Sequence, residues 1–283
     1  MTAAPATAKP ASPRSRAGAE ADASLRLEAV SFARRAPTEP DTARAAGSER
    51  DTARSAHAAV LLLADIAPRA RLWGWSRVVR GAAALRRVPG LRFAKVMGSG
   101  HDGGFGLRPS ASLQGLFAVF DSDDAAAAFI AQAPLVHAYR DRARELLWLR
   151  LAPYACRGAW NGHTLQPAVD APADGPIAAL TRASIRPLAA ASFWRHAPSS
   201  QAGLSNATGC RLAVGLGEAP LLRQCTFSVW DSTAAMDAYA RSGAHLAAIR
   251  ASVQLGFFSE SMFVRFVVRA MQGTWKGQRH ALG

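Results

Sequence analysis

An α+β barrel made within one chain from two tandem copies of a βαββαβ unit is the fold class this sequence predicts. Three observations predict it: an internal repeat, the order of elements within each copy, and strands that are apolar on both sides. The repeat sets FAVFDSDDAAAAF (117–129) over FSVWDSTAAMDAY (227–239), with Asp121-Ser122 over Asp231-Ser232 at an offset of 110 that Arg140 and Arg250 keep. Downstream, ELLWLR (145–150) meets ESMFVR (260–265) and RGAW (157–160) meets QGTW (272–275) at an offset of 115, so copy two carries a short insertion between Arg250 and Glu260. Upstream, RFAKVMG (92–98) lies over RLAVGLG (211–217), and Leu61…Ile66 over Leu180…Ile185. A repeat of about a hundred residues suits a small domain rather than a solenoid unit.

Within copy one (56–160), AAVLLLADI (58–66) is a short apolar run of the kind a buried strand shows. RLWGWSRVVRGAAALRRV (71–88) reads as a helix stopped by Pro89-Gly90. LRFAKVM (91–97) alternates apolar and polar residues, as a half-buried strand does. A Gly-rich loop (98–112) and the strand SLQGLFAVF (112–120) follow. Asp121 or Ser122 caps an Ala-rich helix, broken at Pro134, beyond which Leu135, Tyr139, Ala143 and Leu146 form an apolar stripe at helical spacing. WLRLAP (148–153) closes the unit. Copy two (176–277) repeats the order with PIAALTRASI (176–185), a helix near 187–200, strands 211–217 and 221–230, a helix from Ser232 and the strand MFVRFVV (262–268). This is the ferredoxin-like arrangement. One such sheet leaves a face bare, and two packed face to face close an apolar interior. Residues 161–175 form a flexible linker. Residues 1–55, rich in Ala, Pro, Ser, Thr and Arg, read as a disordered tail with at most a marginal helix over 25–32, since so few large apolar residues cannot offset ordering entropy.

The formal charge of +14 raises nucleic acid or an anionic membrane as partner. The arginines are scattered, with no run of five and no interleaved aromatic platform, which argues against nucleic acid and leaves peripheral contact with an anionic membrane. Three cysteines without CxxC spacing fit a reducing, cytoplasmic compartment better than disulfides or zinc. No apolar stretch reaches the 18 residues of a spanning helix, and the tail lacks the apolar core of a signal peptide.

Several long motifs, ordered along the chain, carry a resemblance: PGLRFAKVMGSG (89–100), RGAWNG (157–162), LTRASIRP (180–187), FW (193–194), VGLGEAPLLRQCTFSVW (214–230) and GAHLAAIRA (243–251). The chain resembles the spheroidene monooxygenase family, the acyclic-carotenoid 2-ketolases, over most of 58–277. Arg223 stands where that family often has His, and 101–105 replaces a loop that usually carries Glu before Gly-Phe. The resemblance implies haem, O2 and reduced ferredoxin, oxidation at C2 of a spheroidene-type carotenoid, and a site at the inner membrane where such substrates reside.

A haem needs an axial ligand, ordinarily imidazole, in an apolar pocket. Of seven histidines, His57, His163 and His280 lie beside the tail, in the linker and at the C-terminus, His196 near a helix end and His101 in the Gly-rich loop. His137 and His245 each follow a helix break. His245 aligns with Leu135 of the apolar stripe, whereas His137 sits about 200° round the helix from that position. His245 also lies in the first turn of a new segment, where the dipole favours the neutral ring that binds iron. A lone histidine is more often a core or surface residue; the resemblance at GAHLAAIR turns the reading toward ligation by His245. Arg140 and Arg250 suit a structural bridge or a haem propionate. Phe105 on a lid loop, Trp194 and Trp230 are candidates to line the substrate pocket, and Glu218 reads as a turn residue. A cofactor-free monooxygenase of similar barrel shape and a barrel that only carries an apolar ligand are the alternatives.

Overall fold

The computed structural model describes residues 57–106, 108–195, 203–204, 206–219, 221–241 and 243–283. The tail with its marginal helix, and the end of the helix near 187–200, lie outside the described residues.

The run AAVLLLADI forms β1 (Ala58–Ile66). Ala59, Leu61 and Leu63 join one core cluster and Ala58, Val60 and Leu62 another, because alternate side chains of a strand face opposite sides. A strand covered on both faces has no polar side, hence the unbroken apolar run. Helix α1 (Arg71–Arg80) is shorter than the sequence suggests: Gly81 takes φ +55°, its N–H closes on Arg77 and Val78, and the chain continues as a 3-10 stretch, Gly81–Leu85. Pro89-Gly90 marks the turn into β2 (Leu91–Gly100). β2 and β3 (Pro109–Phe120) take up the two ends of the expected Gly-rich loop, 98–100 and 109–112.

Ser122 Oγ accepts from the Ala125 N–H at 3.1 Å and starts α2 (Asp123–Gln132); Pro134 opens α3 (Pro134–Arg142). Ala143 already belongs to β4 (Ala143–Gly158), so the expected helical stripe is split, with Leu135 and Tyr139 on the helix and Leu146 on the strand. After 161–175 come β5 (Ile177–Ile185), helical residues 190–195, β6 (Cys210–Ala219) and β7 (Arg223–Trp230). Ser232 caps α4 (Thr233–Ala240) as Ser122 caps α2, accepting from Ala235 at 3.2 Å. Then follow α5 (Gly243–Gln254), β8 (Phe258–Trp275) and a short β9 (Gln278–Leu282) that the sequence reading stops short of.

Strands β1 to β8 close into an antiparallel barrel in the order β4-β1-β3-β2-β6-β7-β5-β8, with β4 pairing β8 and β9 flanking β8. Each half uses one strand order, β4-β1-β3-β2 and β8-β5-β7-β6. The seams differ. β4 and β8 pair from Leu147↔Gly273 to Gly158↔Met262, whereas β2 and β6 meet at Gly98↔Gly217 and Ser99↔Leu216. Leu61, Phe117, Leu149, Leu180, Val214, Phe227 and Phe266 fill the interior, each worth roughly 1.5–3 kcal/mol on burial. The first part of the segment 161–175 folds back on the barrel: Leu165 is buried in the interior cluster, Trp160 and His163 form a bridge, and the Ala168 N–H donates to Pro153 O at 2.7 Å.

Gly273 has φ +132°, and a Cβ there would meet the Leu146 carbonyl across the long seam. Gly277, at φ +74°, has open space around it. Gly273→Ala is therefore expected to cost several kcal/mol, above the about 1–2 kcal/mol of a purely left-handed penalty expected for Gly277→Ala. Chemical denaturation of the two variants checks the difference.

Candidate active site

Strand alternation puts four charged residues inside the barrel. Lys95 shares the parity of Phe93 and Met97, Arg182 that of Leu180, Glu218 that of Val214 and Leu216, and Glu260 that of Met262. The Arg182 side chain is 1% exposed and binds both carboxylates, Glu218 at 3.2 Å and Glu260 in a shorter contact. Lys95 Nζ lies 2.8 Å from Glu218, which also accepts from Trp160 Nε1 at 2.8 Å. The Arg182 guanidinium stands over the Trp160 ring at 5.5 Å. Burial alone would raise the Glu218 carboxyl, but Lys95, Trp160 and Arg182 hold it below the usual range. For Glu260 the same opposition is won by the Asn161 and Gly162 N–H groups with Arg182. Glu218 is thus an interior acid, not a turn residue. Cys225, fully enclosed beside this cluster, has its thiol pushed up by burial and is unreactive.

The outward faces of the two halves differ. In the first, Leu62 pairs with Trp148 under α2 and α3, and Leu62 is buried. The matching pair in the second half is Thr181 with Phe263; Thr181 is exposed and Phe263 is 37% exposed. Around them some outward side chains are smaller: Ala179, Gly215 and Thr226 stand where the first half has Val60, Val96 and Leu116. α3 packs on α2, β1 and β4, whereas α5, among the described residues, packs chiefly on α4. α5 is the longer helix, 12 residues against 9, and 255–257 separate it from β8, whereas β4 follows α3 directly. The insertion marked by the change of offset therefore falls in α5 and the turn that leads into β8.

His245 occupies the first turn of α5; its side chain lies outside the described residues. Phe105 reaches across from the first half, packs with Ala179 and Ala213 in the helix-side cluster, and lies against Gly215. Trp230 is buried in that cluster, its ring 5.4 Å from Tyr239 and its Nε1 donating to Ser228 Oγ, so it is a wall rather than a free contact. Arg250 is half-buried on α5. Arg140 is not brought to this face: it sits on α3 and donates to Ile130 O at 2.9 Å, tying α3 to α2. Its bridge runs helix to helix.

Trp194 lines a different feature, a slot of about 210 Å³ at the short β2–β6 seam, floored by glycines such as Gly98, Gly215 and Gly217. Trp75 is its counterpart. Each indole donates to a carbonyl of its own half, Trp75 to Ala111 at 3.1 Å and Trp194 to Leu221 at 2.9 Å. The repeat counterpart of Trp194 is thus Trp75; Trp73 packs instead edge-on against Tyr139. His57 and His163, set apart as tail and linker residues, line one cleft of about 250 Å³ with Phe93, Trp160 and Met262. His137 bonds to Ala131 O at 2.8 Å and His101 pairs with Asp102. His196 lies outside the described residues.

The geometry defines the class: an antiparallel α+β barrel with an apolar interior that holds a charged cluster and, among the described residues, an exposed Thr181–Phe263 pair on the outward face of its second half. An aldoxime dehydratase crystal structure shares this fold, with a TM-score of 0.51 at 10% identity over 77% of this chain and 83% of that one. A second aldoxime dehydratase, solved with butyraldoxime, gives 0.50 at 10% identity over 75% and 79%. No family model matches the chain. Among curated proteins, spheroidene monooxygenase of Rubrivivax gelatinosus is 60% identical over 78% of this chain and 86% of its own length. Spheroidene monooxygenase of Rhodobacter capsulatus is 35% identical over 73% and 87%. The chain belongs to the spheroidene monooxygenase family.

Proposed function

We propose that this protein is a haem-dependent carotenoid monooxygenase that oxidises C2 of an acyclic, spheroidene-type substrate to a ketone, with reduced ferredoxin as electron donor. The observation that supports it best is the accessible Thr181–Phe263 pair on the outward sheet face of the second half, where the first half has the covered pair Leu62–Trp148. A flat macrocycle suits such a face, and His245, in the first turn of α5 of the same half, would be its donor. Phe105 and the buried Trp230 would bound the pocket, and Arg250 is the cation on the same helix placed to meet a propionate. Haem, when bound, supplies oxygen activation.

The chain's own residues do the rest. As an axial donor His245 would act in its neutral form, the form able to ligate. Small residues on β5, β6 and β7 leave room without adding polar groups, and Phe105 with Trp230 excludes water. Two successive hydroxylations at one carbon, each consuming one O2, two electrons and two protons and releasing one water, give a gem-diol that loses water to the ketone. The two halves are read as tandem ferredoxin-like copies, of which one has kept a covered sheet face and the other has opened it. Peripheral attraction to an anionic inner membrane would bring the protein to its substrate.

Expression in cells that accumulate spheroidene tests the assignment. The expected product carries one carbonyl at C2, identified by mass and NMR. Unchanged spheroidene, with the protein folded and haem supplied, would refute it.

A further inference from the structure

The exposed apolar residues are unevenly placed. Leu72 is 89%, Trp75 54% and Val79 83% exposed, and they share the outward face of α1 at helical spacing. Leu221, 45% exposed, borders the same glycine-floored slot as Trp75 and Trp194. On the α1 side the charge has one sign, although Glu218 lines the slot itself. Between Asp65 and Asp102 the chain has no acidic residue, while it carries Arg69, Arg71, Arg77, Arg80, Arg86, Arg87, Arg92 and Lys95. Arg69, Arg71 and Arg80 are exposed on or next to α1.

We infer that this face, Leu72, Trp75 and Val79 of α1 with Trp194 and Leu221 across the slot, is the surface that docks on an anionic bilayer. The slot then opens toward the acyl chains as the port for a long polyene. Short amphipathic helices that lie in a membrane interface combine an apolar face with flanking Arg or Lys, and tryptophan settles at headgroup depth. Both features occur here on one helix. A protein partner would need acidic complementarity over the same area, and a second copy of this chain would bring basic charge against basic charge. The slot's floor of glycines and its indole walls offer a polyene flat apolar contact, with Ser99, Ser110, Gln114, Glu218 and Gln224 the polar side chains of its lining. The port rests on the polyene substrate proposed above; the docking face does not, and the experiment below uses no carotenoid.

Co-sedimentation of the full chain with vesicles of phosphatidylglycerol and phosphatidylcholine, and with phosphatidylcholine alone, tests it. Binding is expected on the anionic vesicles, reduced but not abolished at about 1 M salt, where charge is screened within about 3 Å. The variant L72E/V79E changes only exposed positions, so it should melt like the parent yet partition about tenfold more weakly or worse. Arg69, Arg71 and Arg80 changed together to Gln should remove the salt-sensitive part and leave the salt-resistant part. Leu255→Glu, exposed after α5, should bind as the parent does. The proposal fails if the parent ignores anionic vesicles, or if L72E/V79E binds unchanged. It fails equally if L72E/V79E only converts a dimer to a monomer, which would assign the face to a second copy.

Discussion

Arg182→Ala is expected to lower the unfolding free energy by about 3–5 kcal/mol, the range for removing one partner of a buried ion pair. In the parent, Arg182 neutralises two carboxylates, one of which also holds Lys95 and Trp160. Without it Glu218 and Glu260 remain inside the barrel with one ammonium between them. A loss of that size corresponds to a drop of about 10 °C in Tm for a domain of this length. The pH dependence carries a second signature. Both carboxyls titrate below their unfolded values, so the stability they contribute is complete above the unfolded carboxylate range and is lost as pH falls through the lower, folded values. In Arg182→Ala the acid loss should start at higher pH, because the cation that depresses both is gone. Thermal melts over a pH series check this against Arg223→Ala, an exposed position on β7 expected to be nearly neutral. Equal melts for the two variants would show that the interior cluster does not hold the barrel.

His245→Ala is expected to abolish stable haem binding and to cut ketolation by more than about a hundredfold, since even a ligand's supporting partner is typically worth ten- to a hundredfold. The fold should survive, as the packing of α5 among the described residues is chiefly on α4. Added imidazole should partly restore the Soret band, a readout that a purely structural histidine would not give. His137→Ala, whose ring bonds Ala131 O on the first half, should leave the spectrum unchanged. The reverse pattern, with haem lost in His137→Ala and kept in His245→Ala, would move the ligand to the other helix.

Much of the barrel is legible in the sequence because it depends on local signals. The unbroken apolar run of β1, the serine caps at Ser122 and Ser232, and Pro134 each act within a few residues. The change of offset between Arg250 and Glu260 locates an insertion, and the structure shows that this stretch lengthens α5 and adds 255–257. What escapes the sequence is long-range. Arg182 in ALTRASI reads as the polar side of a half-covered strand; only closure of the barrel makes the Leu180 parity an interior one. The same parity could have flagged Glu218 and Glu260. His57 and His163 look like tail and linker residues because nothing local shows that 161–175 folds back over Phe93 and Trp160. Gly81 ends α1 where the run of alanines suggests continuation. The outward face of β5 is written in small residues, Ala179 and Thr181, which look unremarkable until Val60 and Leu62 are set beside them.

The central claim is that an open helix-side face in the second half holds a haem that the ketolation requires. Purified protein, assayed with acyclic carotenoid and reduced ferredoxin before and after loading with haem, tests it most directly. The account predicts one haem per chain, a Soret band that rises with loading, and ketone formed in proportion to that band. Ketone formed at full rate by haem-free protein, or haem bound in full with no ketone, would contradict it.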